Sequence, residues 1–298
     1  FNSDQPCALG SVAAGRSIGV SAASDASDVL AAASSSKVVT VDTLQMSATL
    51  IFAVCYAETD GTSSDSTWAD SGIRLTVSKV TGVEYGEGHS SLPVRTWWST
   101  NIMAATNRLP QVAGAQITYV GDLANQEWLS IVDMTDYTTS TSDFHENDYN
   151  PCVAGADAAH SASSAYSGAQ QAGVGSKAVT IPQDTLLSES ATYAVCYATG
   201  AGDSSDTTWR DSYVRLRISK METILSHSVT HRTDGQIARV GGTDELWDGA
   251  VYQTVAVADL ELTYSGSLAQ QQWVSLVDQT FNSDQPCALG SVAAGRSI

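Results

Sequence analysis

The chain repeats itself at two periods, and a repeat constrains architecture before any single residue does. Residues 55–79 and 196–220 align without a gap and agree at 15 of 25 positions, 141 residues apart. The shared signature runs Val-Cys-Tyr-Ala, then Thr-Trp-x-Asp-Ser, Arg-Leu and Ser-Lys. Similarity returns where Gln126–Asp133 matches Gln271–Asp278. The second period is 280 residues: 1–18 and 281–298 are identical at all 18 positions. Copies that diverge within a unit and are identical across it imply a periodic object built of two-domain units. A chain of 298 residues with that spacing predicts two domains of ordinary size. We place them at 1–147 and 148–280, with 281–298 opening the next repeat and joining it to a neighbour.

Within each unit the local patterns are those of strands. Leu50, Phe52, Val54 and Tyr56 alternate with Ile51, Ala53, Cys55 and Ala57, so this strand is apolar on both faces. The same holds for Tyr193, Val195 and Tyr197 against Ala194, Cys196 and Ala198. Such a strand must be covered from two sides, by a facing sheet and by a loop or neighbour. The strand at 72–79 instead alternates apolar with polar, the mark of one wet face. Lys37–Val41 and Lys177–Ile181 read as a further strand in each copy. About seven short strands per unit, separated by turn residues, predict an all-β chain of two tandem immunoglobulin-like antiparallel β-sandwich domains, plus a terminal strand segment.

The five cysteines stand at 7, 55, 152, 196 and 287, so a close pair recurs in each half. The spacing suggests disulfides Cys7–Cys55 and Cys152–Cys196, with buried free thiols as the competing reading. On the chain-entropy account, loops of that length stabilise by about 4 kcal/mol each. Cys287 is left over. Together with Leu289, Val292 and Ile298 it lies in a segment too short to bury itself, which points to contact with another copy.

A net charge of −18, from 32 acids against 14 bases, without a basic cluster, argues against nucleic acid as a partner. It argues equally against anionic membrane surfaces, and no apolar run is long enough to span a bilayer. Few lysines and many Ser and Thr residues fit an extracellular or cell-surface location. No Asn-x-Ser/Thr sequon occurs, so sugar would be O-linked, on runs such as 34–36 or 138–142.

Motifs with chemistry are scarce. His227 and His231 would share a strand face, but no third ligand is evident, and a polar face is the plainer reading. Asp60, Asp65 and Asp70, like Asp203, Asp206 and Asp211, could offer oxygens to calcium. Asp in such loops more often bonds its own backbone. Asp70 and Asp211 stand four residues before Arg74 and Arg215, on one strand face, which suggests an ion pair. There is no nucleophile elbow or zinc-protease motif. We therefore expect no catalytic residues, no metal and no cofactor.

The repeated Val-Cys-Tyr-Ala … Thr-Trp-x-Asp-Ser … Arg-Leu … Ser-Lys signature resembles the tandem immunoglobulin-like repeats of extracellular filament proteins, mastigoneme-like or pilus-like. That resemblance implies a structural polymer of copies of itself, glycosylated and without catalysis. The alternative is a cell-surface adhesin or glycan-binding module, which would carry an exposed aromatic platform at Trp97–Trp98 or Trp247.

Overall fold

The fold was read from a computed structural model, which describes residues 6–14, 32, 37–39, 41, 43–44, 46–86, 95–98, 107–134, 150–182, 187–226, 229–233, 246–247, 252–253, 261–278, 280–284 and 286–294. The chain is all-β. The first strands are β1 (Ile51–Tyr56), β2 (Ala69–Thr76), β3 (Val80–Tyr85), β4 (Arg95–Trp98), β5 (Asn107–Pro110), β6 (Ala115–Gly121) and β7 (Trp128–Asp133). Next come β8 (Gln170–Gln171), β9 (Ala178–Ile181), β10 (Thr192–Ala198) and β11 (Arg210–Ser219). The last are β12 (Met221–Ser226), β13 (Val229–Arg232), β14 (Leu246–Trp247), β15 (Tyr252–Gln253) and β16 (Thr263–Gly266). Three helical turns, α1 (Gly10–Ala13), α2 (Gly155–Ala158) and α4 (Gly290–Ala293), and an irregular turn labelled α3 (Phe281–Asp284), with positive φ at Asn282 and Ser283, complete the described elements.

Two sheets enclose the main core. One has five strands in the order β5-β11-β10-β7-β8, the other four in the order β4-β3-β6-β9, and the latter curls into a half-barrel. Between them lie Val83 and Tyr85 of β3, Ile117 and Tyr119 of β6, Leu129 and Ile131 of β7, Tyr193, Val195 and Tyr197 of β10, and Val214, Leu216 and Ile218 of β11. Both sheets draw strands from either side of residues 147 and 148: β7 pairs with β10, and β6 with β9. The closed unit therefore runs from about β3 to β11, out of phase with the repeat as written along the chain.

The two-sided apolar pattern of β10 has a direct use. Its tyrosines and Val195 enter the main core, while Ala194, Cys196 and Ala198 turn to a second cluster with Val132, Cys152, Ala158, Tyr166 and Trp209. The lid over that face is the segment after Pro151, tied down by the Cys152–Cys196 disulfide. Cys7 and Cys55 form the corresponding bond in the first copy.

Outside the closed unit lie two smaller sheets made of the same parts. β1 and β2 form a two-stranded ribbon whose register, with a bulge between Ala53 and Cys55, matches that of β10 and β11, with a bulge between Ala194 and Cys196. β12, β13 and β16 form a three-stranded sheet, in which β12 and β16 correspond to β3 and β6. Gln271 and Gln126 share a positive φ, 62° and 66°. The Tyr264 hydroxyl donates to the Ala269 carbonyl at 2.7 Å, as that of Tyr119 does to Ala124. The repeat is thus one of conformation as well as sequence.

Two expectations meet a different outcome. Residues 281–294 hold no strand among those described. They contain α3 and α4, because Gly290–Ala293 closes the same helical turn as the identical Gly10–Ala13. In the first copy, the described residues of 37–41 form no strand either, whereas Ala178–Ile181 is β9. β9 takes its hydrogen bonds from β6 of the preceding half, whereas the described residues of 37–41 pair with no described strand.

Candidate functional site

The same residues occupy two environments, and the difference between them locates the site. In the closed unit Tyr197, Trp209, Val214 and Leu216 are buried. Their counterparts in the ribbon are not: Tyr56 is 48% exposed, Ile73 54% and Leu75 54%. At the other end of the chain, Leu129 and Ile131 of β7 are fully buried, while Val274 and Leu276 are 44% and 66% exposed. Trp273 is 95% exposed. Its counterpart Trp128 lies over Gly202 so closely that a Cβ there would fall 2.1 Å from the ring. Positions that are buried in one copy and exposed in the other mark where a contact is made in one and not in the other.

The ion pairs report the same contrast. Arg215 donates to both oxygens of Asp211, at 2.8 and 2.6 Å, with the side chains only 3% and 2% exposed. Arg74 makes the same bidentate contact with Asp70, at 2.8 Å to each oxygen, but there the side chains are 32% and 28% exposed. Hydrogen bonding from Arg74 holds the Asp70 carboxyl below its ordinary range. Each pair bridges the bulge of its strand and fixes the start of the Arg-Leu segment.

The Asp-rich loops are organised around one carboxylate each. Asp65 accepts from the hydroxyl and N–H of Thr67 and from the N–H groups of Asp60 and Gly61. Those bonds, that from the Thr67 hydroxyl foremost, hold its pKa far below the usual carboxylate value. Asp206 repeats this with Thr208 and Gly202. Burial pushes its pKa up, but the hydrogen bonds from Thr208 and Gly202 outweigh it and leave it lowered. These oxygens are committed to the loop's own donors. Among the described residues no group of three His, Cys, Asp or Glu side chains is arranged to hold a metal ion. The side chains of His227 and His231, and those of Trp97, Trp98 and Trp247, lie outside the described residues.

Of the residues expected between copies, Cys287 is a free, exposed thiol. Leu289 is 49% exposed, yet its counterpart Leu9 is 55% exposed even where the segment is docked. Val292 is half-buried, and Ile298 lies outside the described residues. The docking difference rests on backbone instead. At Gly10 a Cβ would meet the Ser63 carbonyl at 2.5 Å and the Trp68 ring at 3.1 Å, whereas at Gly290 it would meet nothing within 4 Å. α1 is seated on the Asp-rich loop, and α4 is the same turn with no such seat. The residues that most change environment, Trp273, Val274 and Leu276, were visible in the sequence only as a repeat match. Which strand they would pair with needed the topology.

No protein-family model matches the chain, and neither a curated protein nor a solved structure is significantly similar to it. No described helix is long and apolar enough to cross a membrane.

Proposed function

We propose that the protein is a structural subunit of an extracellular filament, built by head-to-tail assembly of immunoglobulin-like repeats from copies of itself. The observation that carries this reading is a pair of partial sheets among the described residues. One offers β1 and β2, equivalent to β10 and β11; the other offers β12 and β16, equivalent to β3 and β6, followed by 271–278, which matches β7 in sequence but forms no described strand. Each carries counterparts that the other does not show, and the closed unit between them displays the complete form. A contact that joins one end of a copy to the opposite end of the next is heterologous, and it propagates into an open fibre wherever its rotation does not close a ring. Two disulfides fit an oxidising compartment, hence the cell exterior, where O-linked sugar could coat the Ser- and Thr-rich surface.

The test is negative-stain microscopy and light scattering of the purified protein over a concentration series. Fibres with a regular axial repeat are expected. Monodisperse particles of one chain's mass at every concentration would overturn the proposal.

A further inference from the structure

The closed unit carries a template for the joint. There β7 lies antiparallel to β10, with Leu129 opposite Tyr197, Ile131 opposite Val195 and Asp133 opposite Tyr193. The repeat puts Val274, Leu276 and Asp278 in the places of the first three, and Tyr56, Val54 and Phe52 in those of the second. Among the described residues β1 pairs with β2 alone, and 272–278 forms no strand.

The two halves cannot readily meet within one copy. The ribbon touches the closed unit near the start of β11, where Thr76 bonds the Tyr213 hydroxyl and the Ala48 carbonyl accepts from Arg210. β12 leaves from the other end of β11, where the Tyr85 hydroxyl donates to Glu222. Along β11, Arg210 stands about 30 Å and Tyr213 about 20 Å from Ser219.

Resting on the filament reading, we infer that residues 273–278 of one copy add as a strand to the open edge of β1 in a second copy of this chain. The register is Val274 opposite Tyr56, Leu276 opposite Val54 and Asp278 opposite Phe52. Trp273 then covers Gly61, which has the positive φ of Gly202, 65° against 67°. Strand addition supplies backbone hydrogen bonds along the edge, and the alternate side chains set the register. A slip of one residue would turn Trp273, Ser275 and Val277 into the main core and Leu276 out of it.

The experiment pairs Val54→Cys with Leu276→Cys in full-length chain carrying Cys287→Ser, and oxidises it at concentrations where assemblies form. A ladder of disulfide-linked multimers on non-reducing gels is expected, at least tenfold stronger than for Val54→Cys with Ser275→Cys, whose side chain faces the other way. Leu276→Asp, at an exposed position, should keep the circular dichroism spectrum and abolish assembly. A disulfide confined to monomers would overturn the inference by showing that the chain closes on itself. Equal cross-linking in both registers, or assembly undiminished by Leu276→Asp, would overturn it while leaving the filament reading intact. Absence of any assembly in the unsubstituted protein would remove both.

Discussion

Single residues behave according to the copy they stand in. The Asp211–Arg215 pair is buried, so Asp211→Asn leaves a guanidinium without its counter-charge and should cost about 3–5 kcal/mol in urea unfolding. Asp70→Asn removes the same bond where water reaches it and should barely move the midpoint of the isolated chain. Tyrosine titration gives a second prediction. Burial pushes the Tyr193 hydroxyl up to about 12, and burial raises Tyr197 and Tyr119 as well. An unfolded chain releases these protons near pH 10 while the folded one holds them, so stability is full below that point. It should fall as pH rises from about 10 toward 12, and Tyr193→Phe should blunt the fall. Thiol chemistry gives a third. Cys287 is the free cysteine and is exposed, so one thiol per chain should react with iodoacetamide under native, non-reducing conditions. Modification of Cys55 or Cys196 there would contradict the disulfide pattern.

At the scale of elements, much of the structure was legible because side-chain period and two-sided burial are local properties. The double apolar face of β10 and the recurrence of the Asp-loop could be read along the chain, whereas the half-buried alternation expected of β2 does not show, since Ile73 and Leu75 are exposed and Arg74 is half-buried. Pairing could not. Nothing in Trp128–Asp133 says that its partner is Thr192–Ala198, some sixty residues on, because strand order is decided by which edges remain open when all faces are buried. The same gap hid the nature of 281–298, where Gly290–Ala293 curls as α1 does, although a strand was expected. The site suffered most. Leu289 and Val292 drew attention as apolar residues in a short tail, yet the larger exposed surface belongs to Trp273, Val274 and Leu276. Gly202 tests the seat on which such a tryptophan rests. Its φ is 67° and a Cβ would collide with Trp128, so Gly202→Ala should cost about 1–3 kcal/mol by overpacking alone, with left-handed strain added. A thermal melt unchanged by the substitution would show that Trp128 is not packed there.

At the scale of the whole molecule, the period of folding and the period of sequence are offset by half a unit. β2 reaches β3 across Val77–Lys79 alone, and β11 reaches β12 across Lys220 alone, so consecutive two-layer units are joined by nearly continuous strands. A linker that short holds the flanking sheets at a set spacing, which a flexible tether would not. Both sheets around the main core fall within 79–220, while among the described residues β1 pairs with β2 alone. A fragment of 79–220 should be a monomer that unfolds in one cooperative transition, with Cys152–Cys196 intact. Residues 1–78 alone should show no such transition, because a two-stranded ribbon is marginal in water even with one disulfide. The decisive measurement is calorimetry on 79–220, 1–78 and 1–147. Should 79–220 remain unfolded while 1–147 melts cooperatively, β7 would be pairing with β1 inside one repeat, and the offset between the two periods would be lost.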